Sequence, residues 1–138
     1  MHFWLCNFEY RGELTTDAIR VFRDRTGNCL IGKVREVRIE FSKCVQDKAT
    51  NEEVAFRLSK VVSFFDIAYL FHSLIIQEAS RTTIEEIQDA MLHVGDLPII
   101  DTNEDKAQGY IHVLIEVCNL ISKEFDKLRS EKKQLADS

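Results

Sequence analysis

Residues 63–95 contain a strongly apolar helix pattern, SFFDIAYLFHSLIIQEAS, followed by a short polar turn and a second helix pattern, TTIEEIQDAMLHVG. Apolar residues fall on nearly every side of the first helix, and a helix of this kind is buried on more than one face. Two capping boxes in adjacent registers, Thr82–Glu85 and Thr83–Glu86, can open the second helix. The segment is therefore predicted to be the centre of a helical domain, an interface between copies, or both.

Further helix patterns precede this segment. One begins at Thr15 or Thr16, either of which can serve as the N-cap, and ends at Gly27, because glycine readily adopts the left-handed conformation that closes a helix. Another opens with Asn51 as a candidate N-cap, since two glutamates follow it in the first turn. This helix is expected either to run unbroken into the apolar helix or to break within residues 59–63.

The last helix is predicted from about Asp105 to Leu135, because its apolar residues recur at spacings of three and four. They are Ile111, Leu114, Ile115, Cys118, Ile121, Phe125 and Leu128. The sequence after this stripe, SEKKQLADS, is polar, so residues 129–138 are expected to form a frayed tail. Residues 96–104 contain the only proline and are predicted to form a loop.

Residues 33–47, KVREVRIEFSKCVQD, fit two patterns. Val37, Ile39 and Phe41 alternate as in a strand, which would pair with residues 3–10. A larger set follows helical spacing and leaves Ile39 on the polar side of that helix. The helix is favoured because its apolar set is larger and spans more of the segment: Val34, Val37, Phe41, Cys44 and Val45.

The N-terminal residues, HFWLCNFEY, are rich in aromatic side chains and predict a short strand or extended arm within residues 1–12. Phe3, Leu5 and Phe8 are expected to face inward, and Gly12 to end the strand. A chain of 138 residues is one domain by length. The predicted fold class is therefore mainly α, a small single-domain helical bundle of about four to five helices spanning residues 1–138.

The net charge of −5 is unevenly distributed. Residues 11–48 carry nine Lys/Arg and six Asp/Glu, whereas residues 49–138 carry nine Lys/Arg and sixteen Asp/Glu. This split suits either head-to-tail association between copies or an ordinary solvated surface. Nucleic-acid binding is disfavoured because the basic residues are interleaved with acids. No apolar stretch is long enough to span a membrane.

The sequence lacks the residue arrangements that indicate catalysis. His72 lies in an apolar helix and is predicted to bond a backbone carbonyl, and His112 is predicted to form a surface pair with Glu116 one turn away. No two of the four cysteines have CxxC spacing, and Cys118 lies on an apolar stripe with no basic neighbour to lower its pKa. The thiols are expected to be reduced and mostly buried. We expect no enzyme activity, no cofactor and no metal ion.

Three segments in order resemble one protein family. They are LTTDAIRVFRDRTGNCL at 14–30, the apolar helix, turn and capped helix at 63–95, and the long closing helix. Together they are similar to the tail assembly chaperones of long, non-contractile-tailed bacteriophages and to the related gene-transfer-agent proteins. Residues 31–58 depart most from this pattern, because they are more charged. The family has no catalytic residues, so none is transferred to this chain.

The resemblance implies a non-catalytic morphogenesis chaperone. Such proteins bind the tape measure protein, a long helical chain prone to aggregation, and help tail tube protein subunits polymerise around it. They act in the cytoplasm of the bacterial host, are absent from the mature virion and tend to form homo-oligomers. Many are made in two forms by a programmed −1 frameshift, for which the codons of Lys132 and Lys133 are candidates. Two lysines that only add solubility are the alternative.

The apolar helix also supplies the candidate partner or self-association surface. Its aromatic residues are the expected anchors, because large aromatic side chains contribute much of the binding energy of interfaces. They are Phe64, Phe65, Tyr69 and Phe71. A second reading of the chain is a small acidic helical adaptor or regulatory protein, such as an antitoxin or an inhibitor of a host protein. A tape measure gene directly downstream would favour the chaperone, and a toxin gene the adaptor.

Overall fold

The computed structural model describes residues 1–6, 8–75, 81–96 and 109–137, with side chains described as far as Lys133. Within these residues the chain is mainly helical, as predicted, and has six helices where four to five are expected. A short two-stranded antiparallel sheet precedes them. The elements are β1 (His2–Leu5), β2 (Phe8–Arg11), α1 (Thr16–Thr26), α2 (Leu30–Gln46), α3 (Asn51–Val61), α4 (Phe64–Leu74), α5 (Ile84–Val94) and α6 (Tyr110–Asp137).

Four of the helices begin at a hydroxyl side chain. Thr15, Thr50, Ser63 and Thr83 each accept a hydrogen bond of 3.0–3.2 Å from the backbone N–H three residues further on. These bonds satisfy N–H groups that have no partner inside the helix. The prediction of Asn51 as an N-cap was wrong: Thr50 is the cap, and Asn51 is the first helical residue. The Ser63 cap also separates α3 from α4, which confirms the break over the unbroken helix.

The N-terminal segment contains a short strand, as predicted, but that strand is β1 of a hairpin whose second strand, β2, was not predicted. The chain reverses at Cys6, which has a positive φ of 51°. Phe3 and Leu5 are buried as expected, but Phe8 is 69% exposed. Phe8 is the first residue of β2 and pairs with Leu5 next to the turn of the hairpin. Its side chain therefore lies at the edge of the core and does not cover it.

Residues 33–47 are helical up to Gln46, which confirms the helix over the strand. Most of the predicted apolar set faces inward, but Val45 was wrongly included, because it is 62% exposed. Ile39 lies on the outer side of α2, as expected, and is 57% exposed. Helical spacing therefore identified the correct element but not every buried position.

The core lies where α4 and α6 meet their neighbours. α4 packs against α1 and α5, while α6 packs against α2 and β1. The hairpin closes one side of this core through Phe3, whose ring lies 5.3 Å from that of Phe71 between centroids. Among the described residues, every buried side chain of the core is hydrophobic.

The last helix begins at Tyr110, directly after Gly109. The expected start near 105 and most of the predicted loop at 96–104 lie outside the described residues. Residues 129–137, where the sequence predicts fraying, have a helical backbone. Within the part of the chain that the structure describes, no helix is long and apolar enough to cross a membrane.

Two glycines in helical surroundings predict opposite effects of the same substitution. Gly27 ends α1 with a φ of 75°, so Gly27→Ala should lower the free energy of unfolding by about 1 kcal/mol. Gly32 lies within α2, and a Cβ added there would come no closer than 3.6 Å to another atom. Gly32→Ala should therefore raise that free energy by about 0.5 kcal/mol. Urea unfolding of both variants measures the two signs.

Candidate functional site

The four predicted aromatic anchors do not lie on one surface. Phe71 is fully buried, and its ring packs against that of Phe3 inside the core. It therefore cannot contact a partner while the protein is folded. Phe65 is 61% exposed, and Phe64 and Tyr69 are half-buried. The structure thus reduces the candidate surface to three of the four residues.

Phe65 belongs to an aromatic patch, which we define as Phe64, Phe65 and Tyr110. The rings of Phe64 and Phe65 meet edge to face with centroids 5.5 Å apart. Phe64 meets Tyr110 in the same geometry at 5.6 Å. Edge-to-face contacts hold aromatic rings in fixed orientations. The patch therefore joins the start of α4 to the start of α6 and presents Phe65 as its exposed member.

Burial and, to a smaller extent, the Asp96 carboxylate raise the pKa of Tyr110. The phenol therefore stays protonated at neutral pH, and the aromatic patch carries no charge of its own. An uncharged patch with one exposed ring suits contact with an apolar partner surface.

Tyr69 lies one turn after Phe65, on the same side of α4. The guanidinium carbon of Arg25 lies 5.7 Å from the centre of its ring. Arg25 Nη1 also lies 2.6 Å from His72 Nδ1, and His72 Nε2 lies 2.9 Å from the carbonyl oxygen of Thr82. We assign the Nε2–H tautomer, because Nε2 faces a carbonyl and Nδ1 faces a guanidinium donor.

These contacts of Arg25, Tyr69 and His72 connect α1, α4 and Thr82, the residue before the cap of α5. They also confirm the prediction that His72 bonds a backbone carbonyl. The predicted pair of His112 and Glu116 is confirmed as well, with 2.9 Å between Nε2 and Oε1.

A second candidate surface is a groove of about 600 Å³ beside α2 and α6, which we call the α2–α6 groove. Ile39 and Phe41 of α2 line it together with Ile115 and Cys118 of α6. Arg38 closes one side, since its guanidinium donates hydrogen bonds of 3.2 Å to Asn119 Oδ1 and 2.6 Å to Ser122 Oγ. Sequence reasoning did not identify this groove. The available signal was Ile39, an apolar residue on the polar side of its helix.

The two lysines proposed for a frameshift are exposed on the surface of α6. Frameshifting depends on the messenger RNA and not on side-chain geometry, so this remains a prediction.

The cysteines differ in their surroundings. Cys44 and Cys118 are buried, Cys6 is half-buried and Cys29 is exposed. Burial raises the pKa of Cys118 to about 12, against a smaller opposing effect of Arg38. A thiol with this pKa is not a nucleophile at neutral pH. Among the described residues, no group of three or more His, Cys, Asp or Glu side chains is placed to hold a metal ion.

The candidate surfaces are therefore suited to apolar contacts and hydrogen bonding. Comparisons of the chain with models of protein families, with curated proteins and with solved structures found no match.

Proposed function

We propose that this protein is a non-catalytic chaperone of phage tail assembly that binds the tape measure protein and assists polymerisation of the tail tube. The observation that carries the proposal is the aromatic patch with its exposed Phe65. Phe64 and Phe65 of this patch lie on α4, within residues 63–95, one of the three segments that resemble the family. The patch supports a binding role, while the identity of the partner comes from the resemblance alone.

The physical task of such a chaperone suits a patch with one exposed aromatic ring. A tape measure chain exposes apolar stripes along its helices until tube subunits cover it, and the chaperone must cover them reversibly. Contacts of this kind have a small apolar centre and a polar, hydrated rim. Phe65 supplies the centre here. Asp66, the residue after Phe65 in α4, accepts a hydrogen bond of 3.3 Å from Asn28 Nδ2, and this pair supplies polar groups.

The proposal includes the further properties that the resemblance implies. The protein acts in the cytoplasm of a bacterial host, assembles with tail tube protein, forms homo-oligomers and is absent from the finished virion. A longer product would arise by a −1 frameshift near Lys132 and Lys133. Sequencing the DNA through and past these codons tests this part. It must show a slippery heptamer at the codons of residues 131–134, then an open −1 frame, then a long reading frame that encodes a helical protein.

The test of partner binding compares two phenylalanines of equal exposure. Phe65 on α4 and Phe56 on α3 are both 61% exposed. With the tape measure protein encoded beside this chain as the probe, Phe65→Ala should raise the dissociation constant about thirtyfold, as expected for the loss of an aromatic hot spot of about 2 kcal/mol. Phe56→Ala should change it less than about twofold. Titration calorimetry measures both values.

Two outcomes would count against the proposal. Equal loss of affinity in both variants would show general weakening and not an anchor at Phe65. Absence of binding by the unchanged protein, together with a toxin gene or an isolated locus in place of a tape measure gene, would favour the regulatory adaptor. A circular dichroism melt of each variant shows whether the fold is retained.

A further inference from the structure

The hairpin has a defined pattern of backbone hydrogen bonds. Met1 N donates to Gly12 O, and Gly12 N donates to Met1 O, both at 2.8 Å. Hydrogen-bonded and non-bonded pairs alternate along an antiparallel ladder. The next bonded pairs are therefore Phe3 with Tyr10 and Leu5 with Phe8. It follows that the N–H and C=O groups of His2 and Trp4 point away from β2, toward the outer edge of β1.

The two edges of this small sheet are not equivalent. The β2 edge carries the charged residues Glu9 and Arg11, and its end is covered where Gly12 pairs with Ile75. Glu13 N donates to Leu74 O at 2.8 Å there. A Cβ on Gly12 would lie 3.1 Å from that same carbonyl oxygen, so glycine permits the close approach. The outer edge of β2 is thus covered at one end by Leu74 and Ile75, and elsewhere it carries charged side chains.

The β1 edge has none of these protections. Across the described residues, the backbone N–H and C=O groups of His2 and Trp4 form no hydrogen bond. Natural proteins block such edges with lysine, proline or a bulge, and β1 reads His-Phe-Trp-Leu. The Trp4 side chain is 58% exposed on this strand. His2 Nδ1 lies 2.6 Å from Glu9 Oε1, so the nearest carboxylate is already paired.

We propose that β1 pairs with β1 of a second copy of this chain, which joins two hairpins into one four-stranded antiparallel sheet. The pairing is symmetric about Phe3, which faces Phe3 of the second copy. His2 of each copy then faces Trp4 of the other, and each of these pairs exchanges two N–H···O bonds. The same two outward-pointing residues supply all donors and acceptors on both sides.

A second copy suits this edge because the contact is reciprocal. Each exposed Trp4 indole lies against the His2 imidazole of the other copy, and cross-strand aromatic pairs stabilise sheets. The net charge of −5 on each copy opposes association, but the edge itself adds no unpaired charge. A four-residue edge buries little surface, so the dimer is weak, with a dissociation constant on the order of 100 μM.

The test measures amide resonances of the whole chain by NMR from about 20 μM to about 1 mM, a range that spans the expected dissociation constant. The His2 and Trp4 amides should shift and become protected from exchange as the concentration rises, and sedimentation equilibrium should detect dimers. Trp4→Lys should raise the dissociation constant at least tenfold, about 1.4 kcal/mol, because it removes both aromatic pairs. His2→Lys is a second variant at the same edge.

Phe56→Lys is the matched control, since Phe56 is 61% exposed and lies on α3. It should leave the dimer unchanged, and thermal melts confirm that each variant is folded. A protein that stays monomeric at 1 mM overturns the proposal, as does a dimer that persists in both edge variants or fails equally in the control. The pairing is argued from the backbone of β1 and not from the proposed chaperone role. A monomer at about 1 mM would also remove self-association from that role, whereas binding to the tape measure protein is decided by its own titration, so the two failures can be distinguished.

Discussion

Replacing Phe71 with alanine will lower the free energy of unfolding by about 3–5 kcal/mol, the range for removing a buried aromatic ring. Phe71 is fully buried and touches the ring of Phe3, so the substitution leaves a cavity where α4 meets the hairpin. Total stabilities of domains are about 5–15 kcal/mol, so a loss of this size will be evident at 37 °C. Urea unfolding followed by circular dichroism measures it.

Phe65→Ala is the matched control for this prediction. Phe65, like Phe71, is a phenylalanine of α4, but its side chain is 61% exposed. Its substitution should lower the free energy of unfolding by only about 0.5–1.5 kcal/mol, the contribution of its edge-to-face contact with Phe64. Equal losses in the two variants would contradict the division of α4 into a core side and a surface side. The difference also decides which residue can be used to test binding, because only a folded variant gives an interpretable affinity.

Raising the pH above 9 will destabilise the protein through Cys118. Burial raises the pKa of this thiol from an ordinary value of 9.0 to about 12. Below pH 9 the thiol is protonated in both the folded and the unfolded protein, so the free energy of unfolding does not depend on this group. Between pH 9 and pH 12 the unfolded chain loses the proton and the folded chain keeps it. The free energy of unfolding therefore falls by about 1.4 kcal/mol for each pH unit in this window.

Cys118→Ala isolates this effect from other groups that titrate in the same range. Tyr10 and Tyr110, whose pKa values are also raised by burial, keep their contributions in the variant. The variant should be less stable than the unchanged protein at pH 8, because of the lost side-chain volume, and the difference should shrink or reverse by pH 11. A difference independent of pH would show that the Cys118 thiol is not protected by the core. Urea unfolding at each pH supplies the comparison.

The local elements were predictable where short-range chemistry decides them. A hydroxyl at the start of α1 and α5 satisfies free N–H groups, and Gly27 ends α1 in the left-handed conformation, so these boundaries follow from neighbouring residues. The start of α4 after Ser63 was only one of two alternatives that the sequence left open. The spacing of apolar residues likewise identified α2 as a helix. The N-cap of α3 was misplaced by one residue because Thr50 and Asn51 are both good caps, and only the backbone distinguishes them.

The hairpin was not predictable from its own residues. Its turn lacks the glycine pairs that signal a tight reversal, and the chain turns at Cys6, a non-glycine residue with positive φ. β1, whose Phe3 and Leu5 are buried, packs against α5 and α6, and those helices lie more than 75 residues away in sequence. The same distance explains why the free edge of β1 could not be inferred.

The candidate surfaces likewise combine features that local sequence determines with features that depend on tertiary packing. The sequence by itself determined that α4 is too apolar for one-sided burial, because composition and helical period suffice for that conclusion. It could not separate Phe71 from Phe65, since which sides of α4 are covered depends on how α1 and α5 pack against it. The caps and periodicities of this protein are thus local properties of the chain. Its core, its α2–α6 groove and its open strand edge arise only when distant helices meet, so the tertiary structure alone decided them.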